Sequence, residues 1–304
     1  MKTRLLVIGS TNMDLVGLVD RLPKPGETIL GRLFSQNPGG KGANQAVAAA
    51  KLGAHVSFVS SLGNDLFGDQ LCRILKTNKV STKYIKRVEK PSGVALIGID
   101  NEAENSIIVI PGANHDLRPS DLLEMNDAFD NVNALLIQLE IPLKTVEKAI
   151  VLAHKKNIPV ILNPAPAHHL TPSIFPLIDV LIPNETEATL LAGKSLNTKT
   201  SIEDIGNILL KKGIKNLIIT LGSKGAFVMS SNTCELVKAP KVKAINTVAA
   251  GDAFCGGFAL AYAGGMSLLD STKFAVCVGA TKVTRSGALE GMPTLKDVMK
   301  LYKY

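Results

Sequence analysis

Six short apolar runs, none of them alternating with polar residues, constrain this chain more than any other feature. Residues 4–9, 56–62, 134–139, 159–162, 180–182 and 217–221 are rich in Val, Ile and Leu and are bounded by turn residues. Strands covered on both faces need that composition, as parallel strands between helices do. Between the runs, residues 43–52, 143–156, 185–192 and 202–212 carry apolar side chains at helical spacing. The alternation predicts an α/β fold, a wound and mostly parallel sheet with helices on both faces. Two regions leave this rhythm. Residues 16–34 and 93–110 read as strands and turns without an intervening helix, and 94–100 with 105–110 has the form of a hairpin around an acidic loop at 101–104. Strands without crossover helices cannot join a parallel core, so they are expected to build a small separate β-sheet over the site. No repeat or low-complexity linker interrupts residues 1–304, which predicts one continuous domain.

Composition removes several classes of function. With 46% hydrophobic and 20% charged residues, the chain is not a disordered one. Cys72, Cys234, Cys255 and Cys277 lie far apart without a CxxC pair, which excludes a disulfide scaffold and a zinc or redox motif and suits thiols in a reducing cytosol. The net charge of +8 is scattered, tryptophan is absent and aromatics are 4%, so a nucleic-acid partner is not expected. A basic surface that attracts small anionic substrates fits better. The apolar run near the start breaks at Gly9, too early for a signal peptide. The longest uncharged stretch, 253–269, contains Gly256, Gly257, Gly264 and Gly265 and suits a buried helix better than a membrane span. These features predict a cytoplasmic protein without a membrane partner.

Four segments carry candidate chemistry. Ala249, Ala250 and Gly251 lead into an apolar helix from Asp252, and such a helix start offers free N–H groups to an anion. Asp252 is then either the helix N-cap or a base held beside that anion. Residues 38–44, Pro-Gly-Gly-Lys-Gly-Ala-Asn, open a second helix. They fit neither a Walker A loop, because Gly42 follows the lysine, nor GxGxxG. They are either a plain tight turn or a close backbone approach to a ligand, with Lys41 and Asn44 as polar contacts. Asn184 and Glu187 sit three apart at a helix start, able to order Mg²⁺-bound water or simply to form a capping box. Thr220-Leu-Gly-Ser-Lys-Gly225 ends a strand in a loop suited to a nucleotide, or in an ordinary turn.

Taken together, these segments resemble the ribokinase and fructokinase type of sugar kinase, the phosphofructokinase-B family, over the whole chain. Gly39-Gly-Lys-Gly-Ala-Asn44 and Ala250-Gly-Asp-Ala-Phe254 carry the resemblance, with 184–187 and 220–225 in the family's order and spacing. Gly9-Ser-Thr-Asn-Met-Asp14, Gln138-Leu-Glu140, Asn163-Pro-Ala-Pro-Ala167 and the double alanine at 249 and 250 are similar to its ribokinase branch. The resemblance implies a three-layer fold with a β-lid, here about 14–38 and 93–111, through which such enzymes form homodimers. It implies ATP-dependent phosphorylation of D-ribose at the 5-hydroxyl. Deoxyribose or a ketohexose is the alternative substrate, and a non-catalytic sugar sensor is the reading from another class. By position, Asp252 corresponds to the general base, with the N–H groups of Ala249, Ala250, Gly251 and Asp252 as the anion hole. Asn12, Met13, Asp14, Gly40, Lys41, Gly42, Ala43, Asn44 and Glu140 correspond to the sugar site. Asn184, Thr220, Leu221, Gly222, Ser223, Lys224, Gly225, Gly251 and Val276 correspond to the ATP site, and Glu187 to the Mg²⁺-water site.

Three departures from the family pattern carry further expectations. A monovalent-cation site would fall on Asn246, Val248, Lys282, Arg285, Gly287 and Gly291. The family usually has Asp where Asn246 stands, and ribokinases usually have Ser near Gly291, so a weakened response to K⁺ is expected. The Lys282 side chain is expected to point to solvent, the alternative being that it folds inward and replaces the ion. Val276 stands where ribokinases often offer Asn or His near the adenine.

Overall fold

The computed structural model describes residues 3–102, 104–194 and 200–302. In chain order the elements are β1 (Arg4–Ile8), β2 (Asn12–Val19), β3 (Gly31–Gly39), α1 (Lys41–Lys51), β4 (His55–Gly63), α2 (Leu66–Thr77), β5 (Val80–Val88), β6 (Gly93–Ile99) and β7 (Asn105–Ile110). There follow α3 (Pro119–Glu124), β8 (Ala134–Ile137), α4 (Leu143–Lys155), β9 (Val160–Leu162), β10 (Val180–Leu181), α5 (Glu185–Leu191) and α6 (Ile202–Leu210). The chain closes with β11 (Asn216–Thr220), β12 (Gly225–Ser230), β13 (Cys234–Lys238), α7 (Ala250–Ala263), α8 (Leu268–Val283) and α9 (Leu295–Val298).

Nine strands form one sheet in the order β13-β12-β11-β10-β9-β8-β1-β4-β5. All six apolar runs lie in it, and β5 through β11 pair in parallel. The burial explains their composition. In β1, Leu5 and Val7 enter the core under α1, α7 and α8, while Leu6 and Ile8 enter the core under α3–α6. Each such side chain contributes roughly 1.5–3 kcal/mol when fully buried. Three strands of this sheet gave no sequence signal. β5 is an edge strand and carries Lys83, Lys86 and Arg87, while β12 and β13 turn back antiparallel.

The helix rich in small residues has a packing reason. A Cβ on Gly256 would lie 2.7 Å from Ala48 Cβ and from the Gln45 carbonyl oxygen. On Gly257 it would lie 2.7 Å from Val278. α7 therefore packs in near backbone contact with α1 on one side and α8 on the other. The apolar stretch from 253 is this buried helix, and among the described residues no helix is long and apolar enough to cross a membrane.

The strands without crossover helices form a second sheet, β3-β2-β6-β7, as expected. β2 runs antiparallel to β3 and parallel to β6, and β6 and β7 form the hairpin. One residue of its connection, 103, lies outside the described residues. β2 leaves β1 at the carboxyl end of the parallel strands, so the small sheet stands over that end. Its base is fixed by Met13, packed with Leu62 and Leu71. Its outer part is open: every residue of β7 is exposed, among them Ile107, Ile108, Val109 and Ile110.

Candidate active site

Two helix starts converge at the carboxyl ends of the strands, where wound sheets bind their ligands. α1 begins after Gly40 (φ 88°), where a Cβ would lie 2.7 Å from Thr11 Cα, so only glycine fits. α7 begins after Ala249, which is itself left-handed (φ 58°) and offers no side-chain cap. Asp252 is therefore not the N-cap; it lies in the first turn. Its carboxylate is buried and is held from across the fold: Asn44 Nδ2 donates to Oδ2 (2.9 Å) and Gln45 Nε2 to Oδ1 (3.0 Å). Gln45 also donates to Asn163 Oδ1 (3.0 Å) and accepts from Gln138 Nε2 (2.6 Å).

Around this pair lies a cleft of ≈160 Å³ lined by Lys41, Asn163, Ala165, Ile182, Asn184, Glu187, Thr220, Thr247, Ala249, Ala250, Gly251, Asp252 and Cys255. Lys41, Asn184, Glu187, Thr220 and the start of α7, distant in sequence, thus share one wall. Burial alone would pull the Lys41 ammonium down; attraction from Asp252, Glu140 and Glu187 outweighs it and holds the group above the usual lysine range. Burial pushes the Glu187 carboxyl up, opposed by a bond from the Asn184 N–H and by Lys41. The capping box is real, since Glu187 N donates to Asn184 Oδ1 (2.7 Å) and Asn184 N to Glu187 Oε2 (2.9 Å). Both residues nevertheless face the cleft, so cap and site coexist. The Cys255 thiol is pushed well up by burial and then by Asp252, which leaves it a poor nucleophile.

Of the expected sugar residues, Lys41 lines this cleft and Asn44 holds Asp252, while Asn12, Asp14 and Glu140 are not in its lining. Asp14 is raised to about 7, first by burial and then by repulsion from Glu140, Asp252 and Glu290. Gly39 lets it sit where it does, for a Cβ there would meet Asp14 Oδ2 at 2.3 Å. Asn12 Oδ1 accepts from Asn114 Nδ2 (2.7 Å). Glu140 Oε2 accepts from the Lys41 N–H (3.0 Å) and from the Ser10 hydroxyl, so this carboxylate closes the start of α1. Met13 and Ala43 have their side chains in the cores, which leaves only backbone for a ligand, and a Cβ on Gly42 would meet Gly9 at 2.6 Å. Leu221 packs toward the core, while Gly222, Ser223 and Lys224 form an exposed turn ahead of Gly225. Val276 is buried in the α7–α8 core and does not line the cleft. A wider depression of ≈300 Å³ at the amino ends of β1, β4 and β5 has no such convergence of helix starts.

One expectation is overturned. Lys282 does not point to solvent: it is 0% exposed, with Nζ on the Asn246 carbonyl (3.4 Å). Gly291 lies beside it for a reason of backbone packing: a Cβ there would lie 2.6 Å from the carbonyls of Ser286 and Gly287, but in ordinary contact, 3.4 Å, with Lys282 Cε. The other candidate cation residues are likewise engaged. Asn246 Oδ1 accepts from Val248 N (2.8 Å), the Lys282 carbonyl from Arg285 N (3.0 Å), and the Arg285 side chain pairs with Asp297 (2.8 Å). Gly287 is left-handed (φ 76°) in the turn between them.

Gln45, Asn114 and Thr247 were not among the residues expected from sequence. For Gln45 a signal exists: two adjacent amides open an otherwise alanine-rich helix.

Comparison with known proteins follows the same lines. The model of the pfkB family carbohydrate kinases matches residues 2–295. The chain is 38% identical to the ribokinase of Haemophilus influenzae over 305 residues, covering all of both chains. It is also 38% identical to the deoxyribokinase of Salmonella typhi over 295 residues, 96% of each. The structure of Arabidopsis thaliana ribokinase complexed with ribose and ATP superposes with a TM-score of 0.91 at 32% identity, covering 100% of both chains.

Proposed function

The chain belongs to the pfkB family of carbohydrate kinases, and on that premise we propose that it transfers the γ-phosphoryl group of ATP to the 5-hydroxyl of D-ribose. One observation carries the reading. A buried carboxylate held by two amides, Asp252, stands one residue beyond Ala250 and Gly251 in a helix start that opens into the same cleft as Lys41. Phosphoryl transfer asks for little else, being mostly positioning and electrostatics.

Asp252 takes the hydroxyl proton as the oxygen attacks. The N–H groups of Gly251 and Asp252 and the Lys41 ammonium receive the charge that develops on the transferring group. Asn44 fixes Asp252 through Nδ2, while its buried Oδ1 has no partner and can accept from a sugar hydroxyl. Asn12, Asp14 and Glu140 supply the remaining polar surface for the sugar; Asn184, Thr220 and the turn at 222–225 supply that for the nucleotide. Mg²⁺ brought with ATP would find a carboxylate and an amide at Glu187 and Asn184 and would neutralise phosphate charge, holding most of its oxygens from phosphate and water. The dependence on ATP and the four free thiols suit a cytoplasmic enzyme.

The small sheet, with segments 14–38 and 93–111, acts as the lid. Its register separates two faces. Asp14 shares one with Ala95 and Val109, while Leu15 shares the other with Leu96 and Ile108. The first face covers the sugar; the second, with exposed Phe34, seats a second copy of the chain in a homodimer. Closure excludes water from ATP, so hydrogen exchange in 93–111 slows when ribose is added; unchanged exchange at saturating sugar counts against a moving lid.

The relative that acts on deoxyribose makes that sugar the second reading. A coupled ADP-release assay across pentoses, ketohexoses and nucleosides separates the two. A site built on hydrogen bonds to hydroxyls leaves buried groups unpaired when one is missing. Ribose is therefore expected well above 2-deoxyribose, and equal kcat/KM would move the assignment to the deoxy sugar.

A further inference from the structure

We propose that the Lys282 ammonium is a built-in cation, holding the loop that enters α7 in place of a bound monovalent ion. The kinase cycle described above makes no use of this residue. Its side chain is nonetheless 0% exposed, in the last turn of α8, and burial pulls its ammonium below the usual lysine range. Removing an ammonium from water is costly unless oxygens receive it. The oxygen that receives this one is the Asn246 carbonyl, at 3.4 Å.

That contact bears directly on the anion hole. Asn246 opens the turn whose Thr247 carbonyl accepts from Ala250 N (3.2 Å), and Ala249 in the left-handed region completes it. Lys282 thus acts through the backbone of 246–249 on where Gly251 and Asp252 point their N–H groups. It is a positioning residue and does not touch the reacting atoms.

The same geometry is unfavourable to K⁺. The side-chain oxygen at 246 is a neutral amide that already accepts from Val248 N, so no carboxylate stands there to hold the ion, and the Lys282 ammonium on the Asn246 carbonyl repels it. A hydroxyl-bearing residue at 291 has no space beside the Ser286 and Gly287 carbonyls, so this loop as folded offers no side-chain oxygen at that position. The separate loop that follows α8 is held in a comparable way: Lys51 Nζ donates to the carbonyls of Leu289 (3.1 Å), Glu290 (3.4 Å) and Met292 (3.3 Å).

The test rests on the kinase reading for its kinetics and on thermal unfolding for a readout that does not. For the unmodified chain, kcat, KM for ATP and Tm are compared in potassium and in tetramethylammonium buffer at constant ionic strength. Both kcat and KM are expected to agree within about twofold, with no Tm shift, because the ammonium already stands where an ion would act. Lys282→Met is expected to lower kcat by about tenfold or more, with the sugar KM within about twofold, since the anion hole is misplaced and the sugar site is not. Ammonium or potassium ions then restore kcat and raise Tm in the variant, and tetramethylammonium, too large for the space, does neither. Activation of the unmodified chain by K⁺ beyond about fivefold, or a Tm rise with K⁺, overturns the proposal. So does native kcat for Lys282→Met in tetramethylammonium. If that variant does not fold, the ion response of the unmodified chain decides alone.

Discussion

The two helix starts that meet at the cleft are built alike and used oppositely. Both α1 and α7 begin after a left-handed residue without a side-chain cap, Gly40 and Ala249. At α1 the chain fills the positive end itself: Glu140 takes the Lys41 N–H and the Ser10 carbonyl takes the Ala43 N–H. At α7 the N–H groups of Gly251 and Asp252 have no acceptor among the described residues, and they line the cleft. The helix end that the fold leaves unfilled is the one open to an anion. The filled end still contributes, because it fixes Asn44 and Gln45 on the next turn, where they grip Asp252.

The largest effect is expected at the open end. Asp252→Asn keeps the shape and removes the proton acceptor, so kcat falls by about 10²–10⁴-fold, the usual worth of a general base. Affinities for sugar and ATP stay within a few fold, and steady-state kinetics checks both. Near-native turnover would reduce Asp252 to a structural residue of the first turn.

A matched pair of glycine substitutions comes next. A Cβ on Gly251 meets no protein atom within 4 Å, so Gly251→Ala places its methyl in the cleft. Turnover should fall by about 10²-fold, with Tm unchanged or slightly raised, as alanine favours helix by about 0.5–1 kcal/mol. Gly40→Ala, at φ 88° and against the Thr11 backbone, should instead destabilise the fold by about 1–3 kcal/mol. If calorimetry ranks the two the other way, the contrast between open and filled ends is wrong.

The smallest effect probes the field the two ends share. Asp14 feels both Glu140 and Asp252, and its value of about 7 in the folded chain lies above the 3.8 of the unfolded one. The folded state therefore holds a proton that the unfolded state has released, and stability falls as pH rises from about 4 to 7. Asp14→Asn removes that slope. At pH 8 it should unfold about 1–2 kcal/mol later than the native chain, after allowance for solvent screening, while its KM for sugar rises. Parallel stability profiles for the two proteins between pH 4 and 8 would contradict the assignment.

What the sequence disclosed follows from where each residue sits. The six central strands were legible because burial on both faces leaves an uninterrupted apolar run. β5 was not, since an edge strand takes charged residues, and α8 was not, since a helix buried on several sides loses its periodicity. Whether Asp252 caps its helix or serves as a base depends on Asn44 and Gln45, more than 200 positions away, and no local pattern carries that. The direction of Lys282 is hidden for the same kind of reason: the cost of burying an ammonium argues for solvent, while the carbonyl of Asn246 that receives it is 36 positions away and meets it only in the folded chain.

The seam of small residues between α1 and α7 bears on which parts of this chain can change independently. With Gly256 pressed against Ala48 and Gln45, the two helices are geared together, and almost any larger side chain there shifts the Asp252 carboxylate relative to its amide holders. Rigidity is then divided. Asp252 and its two amide holders sit in a joint that tolerates little change of volume, whereas Asn12 and Asp14 stand on a strand of the small sheet outside it, where a substitution leaves the joint in place.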